Sequence, residues 1–111
     1  MEQYRVHFLK SAKTDMYNIG QYISEQLSAP RVALRKVDTI ENKIKKKLYF
    51  WPQKHRLIDN TILASKGLRM MNVEGRIAFF FINEKKKIVK VWRIIHSKRD
   101  WANLLSENSS I

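Results

Sequence analysis

Basic residues in the C-terminal half stand where packing alone gives little reason for charge. Arg69 and Arg93 each interrupt an otherwise apolar run, Leu68 to Val73 and Ile88 to Ile95. Burying a lone guanidinium is costly, so each must reach solvent or a partner. A phosphate is one such partner, because the planar fork binds oxyanions bidentately. A solvated sheet face is the other reading for both. His96 follows the last apolar run and lies beside Lys98 and Arg99. Histidine is the side chain best suited to act as an acid or a base near neutral pH; a structural histidine at a strand end is the alternative. Arg99 reads either as a further phosphate ligand or as a surface charge at the end of the sheet, and Arg76 joins the candidates. His7 and His55 are isolated and read as structural or solvated. The chain has no cysteine and no clustered His or Asp at ligand spacing, so neither a metal nor another cofactor is expected.

Charge narrows the possible partners. Lys and Arg number 22 against 10 Asp and Glu, a net charge of +12. This exceeds the magnitude of roughly 2–8 that solubility calls for. Such a field attracts polyanions, nucleic acid first and an acidic protein second. The runs Lys45-Lys46-Lys47 and Lys85-Lys86-Lys87 read as solvated faces, or as grips for an RNA backbone. Trp51, Trp92 and Trp101 read as core rather than as base-stacking platforms. No segment reaches the roughly 18 apolar residues of a membrane span. The start, Met1 to Arg5, lacks the pattern of a signal peptide. A cytoplasmic protein is the expectation.

These candidates need elements to position them. With 111 residues, one domain covering residues 1–111 is expected. Tyr4, Val6 and Phe8 alternate with polar residues, a short strand. Ala12, Met16, Ile19, Ile23 and Leu27 then mark one helix face, with Ser11 at the N-cap position and Asp15 suited to the first turns. Gly20 costs about 1 kcal/mol inside a helix and suggests a close approach. Ser28-Ala29-Pro30 ends this helix and starts another, with the serine suited to cap it and the proline tolerated in its first turn; along it Ala33, Val37, Ile40, Ile44 and Leu48 repeat. Trp51-Pro52 stops it. So short a join predicts an antiparallel helical hairpin, about Ser11–Leu27 and Pro30–Phe50. Residues 53–66 read as a loop with at most one short strand. Leu68–Val73, Arg76–Ile82 and Ile88–Ile95 are rich in β-branched and aromatic residues. They predict a three-stranded antiparallel meander with a tight turn at Glu74-Gly75. Asp100 caps a short terminal helix carrying Trp101, Leu104 and Leu105, and residues 106–111 read as a frayed tail. The fold class is α+β, with a helical hairpin on a mostly antiparallel sheet.

This order, with these residues, resembles the RelE/ParE family of toxins from bacterial type II toxin–antitoxin pairs. The first helix carries the likeness in Ala12, Asp15, Ile19, Tyr22 and Ile23, and the second in Ala33, Ile40, Leu48 and Pro52. The meander adds Leu68-Arg69, Val73 and the run Phe79-Phe80-Phe81-Ile82. The most specific stretch is Val91 to Trp101, similar to the closing strand and basic His-x-x-Arg-Asp segment of many ParE-like members. Arg76 and Phe80 stand where members often have tyrosine, and no tyrosine follows Tyr49.

The resemblance implies a growth-arresting toxin silenced by a cognate acidic antitoxin protein. It leaves two activities open. RelE-like members cut messenger RNA in the ribosomal A site, which would make ribosome and mRNA the partners. ParE-like members poison DNA gyrase and have no nuclease role. Metal-independent RNA cleavage needs a base for the 2′-hydroxyl, cations for the phosphate and an acid for the leaving oxygen. For that reading the candidates are His96, Arg69, Arg93 and Arg99, expected to converge on one open surface. The net charge favours the ribosome-dependent endonuclease, with gyrase inhibition as the alternative.

Overall fold

Residues 3–107 are described by a computed structural model. Strand β1 (Arg5–Phe8) leads into helix α1 (Lys10–Leu27), and α2 (Pro30–Tyr49) returns antiparallel to it. A single 3-10 turn at Pro52–Lys54 and a short helix, α3 (Thr61–Ser65), precede β2 (Arg69–Val73), β3 (Arg76–Asn83) and β4 (Ile88–His96). Helix α4 (Trp101–Glu107) follows. The strands form one sheet in the order β1-β4-β3-β2. The meander β2-β3-β4 is antiparallel, and β1 joins its far edge parallel to β4, with Arg5 opposite Ile88. The α+β architecture read from the sequence is the one observed.

The sheet is covered on both sides. One face packs Met71, Val73, Ala78, Phe80, Val89, Val91 and Ile94 against Ala12 and Met16 of α1 and Ile40, Ile44 and Leu48 of α2. The other packs Met70, Ile77, Phe79, Trp92 and Ile95 with Ile58, Leu63 and Leu105. This double burial explains why β3 and β4 read as nearly continuous apolar runs instead of alternating. The β3–β4 register shifts between Phe79, opposite Arg93, and Phe80, opposite Val91. Trp92 is the extra residue of that bulge, which re-aims the side chains beyond it.

Local chemistry sets the breaks. Glu74 and Gly75 both have positive φ, 49° and 73°, as a tight hairpin turn matched to strand twist requires. At the next hairpin the Asn83 side chain accepts from the Lys86 N–H at 3.0 Å. Gly20 marks a close approach, as expected: a Cβ there would lie 3.2 Å from Val37 Cγ2 across the hairpin. Pro30 sits at the start of α2.

Four expectations are corrected. Ser11 is not the N-cap of α1; Leu9 holds that position, and Ser11 lies inside the helix with its hydroxyl donating to the Trp92 carbonyl at 2.6 Å. Ser28 does not cap α2. It ends α1 in the left-handed conformation, φ 49°, with its N–H bonded to the Ser24 carbonyl. Residues 53–66 are not all loop: Asn60 accepts from the Leu63 N–H at 3.1 Å and so starts α3. Trp51 is exposed, whereas Trp92 is buried and Trp101 packs on Phe79 with ring centroids 5.5 Å apart. Helix α4 takes in Ser106 and Glu107, the first residues of the expected tail, and residues 108–111 lie outside the described residues. No helix among the described residues is long and apolar enough to cross a membrane.

Leu48 is fully buried where α2 meets the sheet. Leu48→Ala is expected to destabilise the protein by about 2–5 kcal/mol, read as a shift in urea midpoint without a change in slope.

Candidate functional site

Strand β1 pairs with β4 only as far as Phe8 opposite Val91, so the second half of that β4 edge has no neighbouring strand. The first turns of α1 take its place. The Leu9 N–H donates to the Val91 carbonyl at 2.9 Å, and the Ser11 hydroxyl to the Trp92 carbonyl. The Asp15 carboxylate accepts from the Ile94 N–H at 2.9 Å. The same carboxylate takes a bidentate contact from Arg93, Nε at 2.7 Å and one terminal nitrogen at 3.0 Å. Both side chains are largely sequestered, 18% and 13% exposed for Arg93 and Asp15. Charge-assisted, two-pronged pairs of this kind are among the stronger polar contacts in proteins.

This junction walls a cleft of about 450 Å³, lined by Asp15, Asn18, Ile19 and Tyr22 of α1, Arg76 of β3, and Arg93 to His96 with Arg99. Arg76 and His96 are register partners on adjacent strands. The turn after β4 is held against the β2–β3 turn, since both the N–H and the hydroxyl of Ser97 donate to the Gly75 carbonyl, at 3.1 and 2.9 Å. Within it, His96 Nδ1 accepts from the Lys98 N–H at 3.2 Å, and the Arg99 N–H donates to the His96 carbonyl at 3.0 Å. An imidazole using Nδ1 as acceptor carries its proton on Nε2, so in this arrangement the second nitrogen is a donor. Arg76 donates to the Glu74 carbonyl at 3.0 Å. Its burial lowers its pKa, opposed by the Glu74 charge, but a guanidinium stays protonated in either case.

Three of the four residues read from the sequence as a site therefore share one cleft: Arg93, His96 and Arg99. Arg69 does not join them. Its guanidinium donates to the carbonyls of Gln53 and His55, at 3.1 and 2.7 Å, and ties the segment after α2 to β2. Arg76 sits inside the cleft. Asn18 was not singled out by sequence reasoning; Tyr22 was named only for the family likeness, and Asp15 for that likeness and the helix dipole, neither as a site residue. Their spacing of three and four along α1 does put one polar stripe beside the apolar one, a signal that could have found them. Among the described residues no group of three or more His, Cys, Asp or Glu is gathered as a metal site would need.

The family of the ParE toxin of the type II toxin–antitoxin system parDE matches this sequence over residues 6–101. The chain belongs to that family of toxins. No curated protein matches it in sequence. Among solved structures, that of the chromosomal ParDE toxin–antitoxin system from P. aeruginosa is similar over 85% of this chain and 96% of that one, with 20% identity and a TM-score of 0.68. A chain of the Mycobacterium tuberculosis RelBE2 toxin–antitoxin complex is similar over 89% and 97%, with 16% identity and a TM-score of 0.61. The isolated E. coli RelE toxin is similar over 97% and 99%, with 14% identity and a TM-score of 0.52. At such identities the likeness concerns the fold.

Two outcomes follow. Asp15→Ala leaves the Arg93 guanidinium and the Ile94 N–H without their partner, and is expected to cost about 3–5 kcal/mol. Asp15→Leu with Arg93→Met should recover much of that loss, so a double-mutant cycle in urea should show strong coupling. The second concerns His55, which packs edge-on to Phe80 at 5.9 Å and whose Nε2 is a buried atom with no hydrogen-bond partner among the described residues. Burial holds its pKa below the usual 6.5. A hydrogen bond with the Lys47 backbone opposes this, and the charges of Lys54, Lys47 and Arg69 add to the lowering. The fold thus favours the neutral ring. As pH falls through 6.5 the unfolded chain takes up a proton that the folded chain refuses, and stability declines until the lower folded pKa is reached. Melting temperatures at about pH 7.5 and about pH 5.5 should differ less in His55→Leu than in the parent.

Proposed function

We propose that this protein is a ParE-like growth inhibitor that acts by binding DNA gyrase, without chemistry of its own, and that an acidic antitoxin segment silences it across the Asp15–Arg99 cleft. The carrying observation is the bidentate Asp15–Arg93 pair. It commits the central arginine of the cleft to a neighbour, leaving Arg76 and Arg99 as cations for a partner. The remote, structurally engaged Arg69 and the acceptor role of His96 Nδ1 support the same reading, since both weaken a base-and-phosphate machinery. The match to the ParE family supports gyrase over the ribosome. That the similar solved structures include toxin–antitoxin complexes supports the antitoxin. This reading entails a cytoplasmic protein.

Ribosome-dependent cleavage of mRNA is the second reading. It is favoured by one observation: Arg76, His96, Arg99 and the hydroxyl-bearing Tyr22 line a single open cleft, so cations and proton-transfer groups stand together.

His96→Ala separates the two. Under the binding reading the purified variant inhibits gyrase supercoiling nearly as well as the parent, while Arg99→Glu inhibits poorly because a contact charge is reversed. Under the nuclease reading, His96→Ala costs about 10²–10⁴-fold in cleavage of ribosome-bound mRNA. Translation, rather than DNA topology, is then what fails first in induced cells. Normal supercoiling in the presence of a toxin that still arrests growth would sink the gyrase proposal.

A further inference from the structure

Three consecutive aromatic residues lie outside both cores at the end of α2. Tyr49 and Phe50 are each 40% exposed and Trp51 is 63% exposed. Rings of this size normally bury 150–250 Å² apiece, and a contiguous exposed apolar patch marks an interaction site. The backbone beneath them is anchored. The Tyr4 N–H donates to the Tyr49 carbonyl at 2.9 Å, Phe50 bridges to Gln3, and the Tyr49 and Phe50 rings meet edge-on at 4.6 Å. Trp51 has φ 48° and ψ 56°, a left-handed conformation that a bulky residue rarely adopts. It is held there by the Pro52–Lys54 turn, whose Lys54 N–H donates to the Trp51 carbonyl at 3.2 Å. A strained backbone thus presents a large ring to solvent on a fixed base.

A second observation sits beside Tyr49. Tyr49 lines a shallow groove of about 640 Å³ together with Thr39, Asn42, Lys43, Lys45 and Lys46. Lys43 is bound to Glu74, and Lys45 reaches Glu41 only at 4.0 Å. The Lys46 side chain has no ion pair or hydrogen bond among the described residues. Partly exposed rings, next to under-neutralised ammonium groups and a hydroxyl and an amide, suit one ligand chemistry. Bases of a single strand stack on the rings, and its phosphates meet the lysines. A duplex keeps its bases stacked on each other and cannot use the rings. The net charge of +12 draws any such strand in from a distance.

We infer that the end of α2 is a binding platform for single-stranded nucleic acid, with Tyr49 and Trp51 taking bases and Lys45 and Lys46 taking phosphates. It shares no residue with the Asp15–Arg99 cleft. It is independent of the gyrase reading, because the chain alone should bind the strand.

The test uses the purified full chain and a fluorescein-labelled oligodeoxythymidine of about a dozen nucleotides. Wild type should raise its anisotropy, and the strand should quench tryptophan emission, Trp51 being far more exposed than Trp92. Binding should weaken steeply between about 50 mM and about 200 mM salt. Trp51→Ala and Tyr49→Ala should each weaken binding roughly 5- to 100-fold. Trp51→Phe, which keeps a ring, should restore much of it. Lys46→Ala should reduce the salt slope by about one. Circular dichroism checks that each variant is folded. No binding, or alanine variants that bind like wild type, would overturn the platform. So would poly-L-glutamate that binds more tightly than the oligonucleotide with the same dependence on Trp51, since the patch would then be a protein-docking surface.

Discussion

The Asp15 carboxylate closes a gap that the strand order opens. Where β1 stops, β4 continues for five residues with backbone groups that would otherwise face no strand. Water or a partner chain could pair with that edge, and unprotected edges invite association. Asp15 takes the Ile94 N–H, Ser11 takes the Trp92 carbonyl, and Arg93 is folded back onto Asp15. These contacts, with Asp15 at their centre, hold α1 against the sheet and with it the wall of the cleft. Every other feature of the cleft presupposes that docking. The ion pair is worth less as a source of net stability than as a specification of where α1 lies.

Because the sheet is packed on both faces, the molecule has little freedom to rearrange around the cleft. Phe79 and Phe80 point to opposite cores and are both fully buried. A shift in either layer moves β3, and Arg76 and its register partner His96 move with it. The bulge at Trp92 serves the same arrangement. It lets Trp92 fill the second core while Arg93 turns toward Asp15.

Much of this was readable from residue spacing. The helical hairpin followed from the repeats Ala12 to Leu27 and Ala33 to Leu48, and the meander from β-branched runs and Glu74-Gly75. These are local signals, and local chemistry decides them. What stayed hidden depends on distant partners. Nothing near Ser11 says that its hydroxyl will meet Trp92 instead of capping its own helix. Arg69 and Arg93 look alike in their strands, yet one grips carbonyls of the preceding segment and the other a carboxylate on α1. Trp51 carries the composition of a core residue, and only the anchored left-handed backbone turns it outward. The one-turn helix α3 is shorter than any periodicity can register, and only Asn60 as a cap hints at it. Of the candidate site, the stretch from Arg93 to Arg99 was legible because it is contiguous. The α1 wall was not, because it comes from the other end of the chain.

The parallel pairing of β1 with β4 also sets a timetable for biosynthesis. Ser11 and Trp92 are 81 residues apart, and Asp15 and Arg93 are 78 apart. The first strand to leave the ribosome thus waits for the last before it can join the sheet. The helical hairpin can form early, but the strand against which α1 docks is missing until β4 emerges. Contacts of such separation slow folding, because loop closure must precede them. A nascent or truncated chain therefore contains neither the docked α1 wall nor the cleft it borders. For a toxin of this family, topology alone delays assembly of the cleft until synthesis is nearly finished.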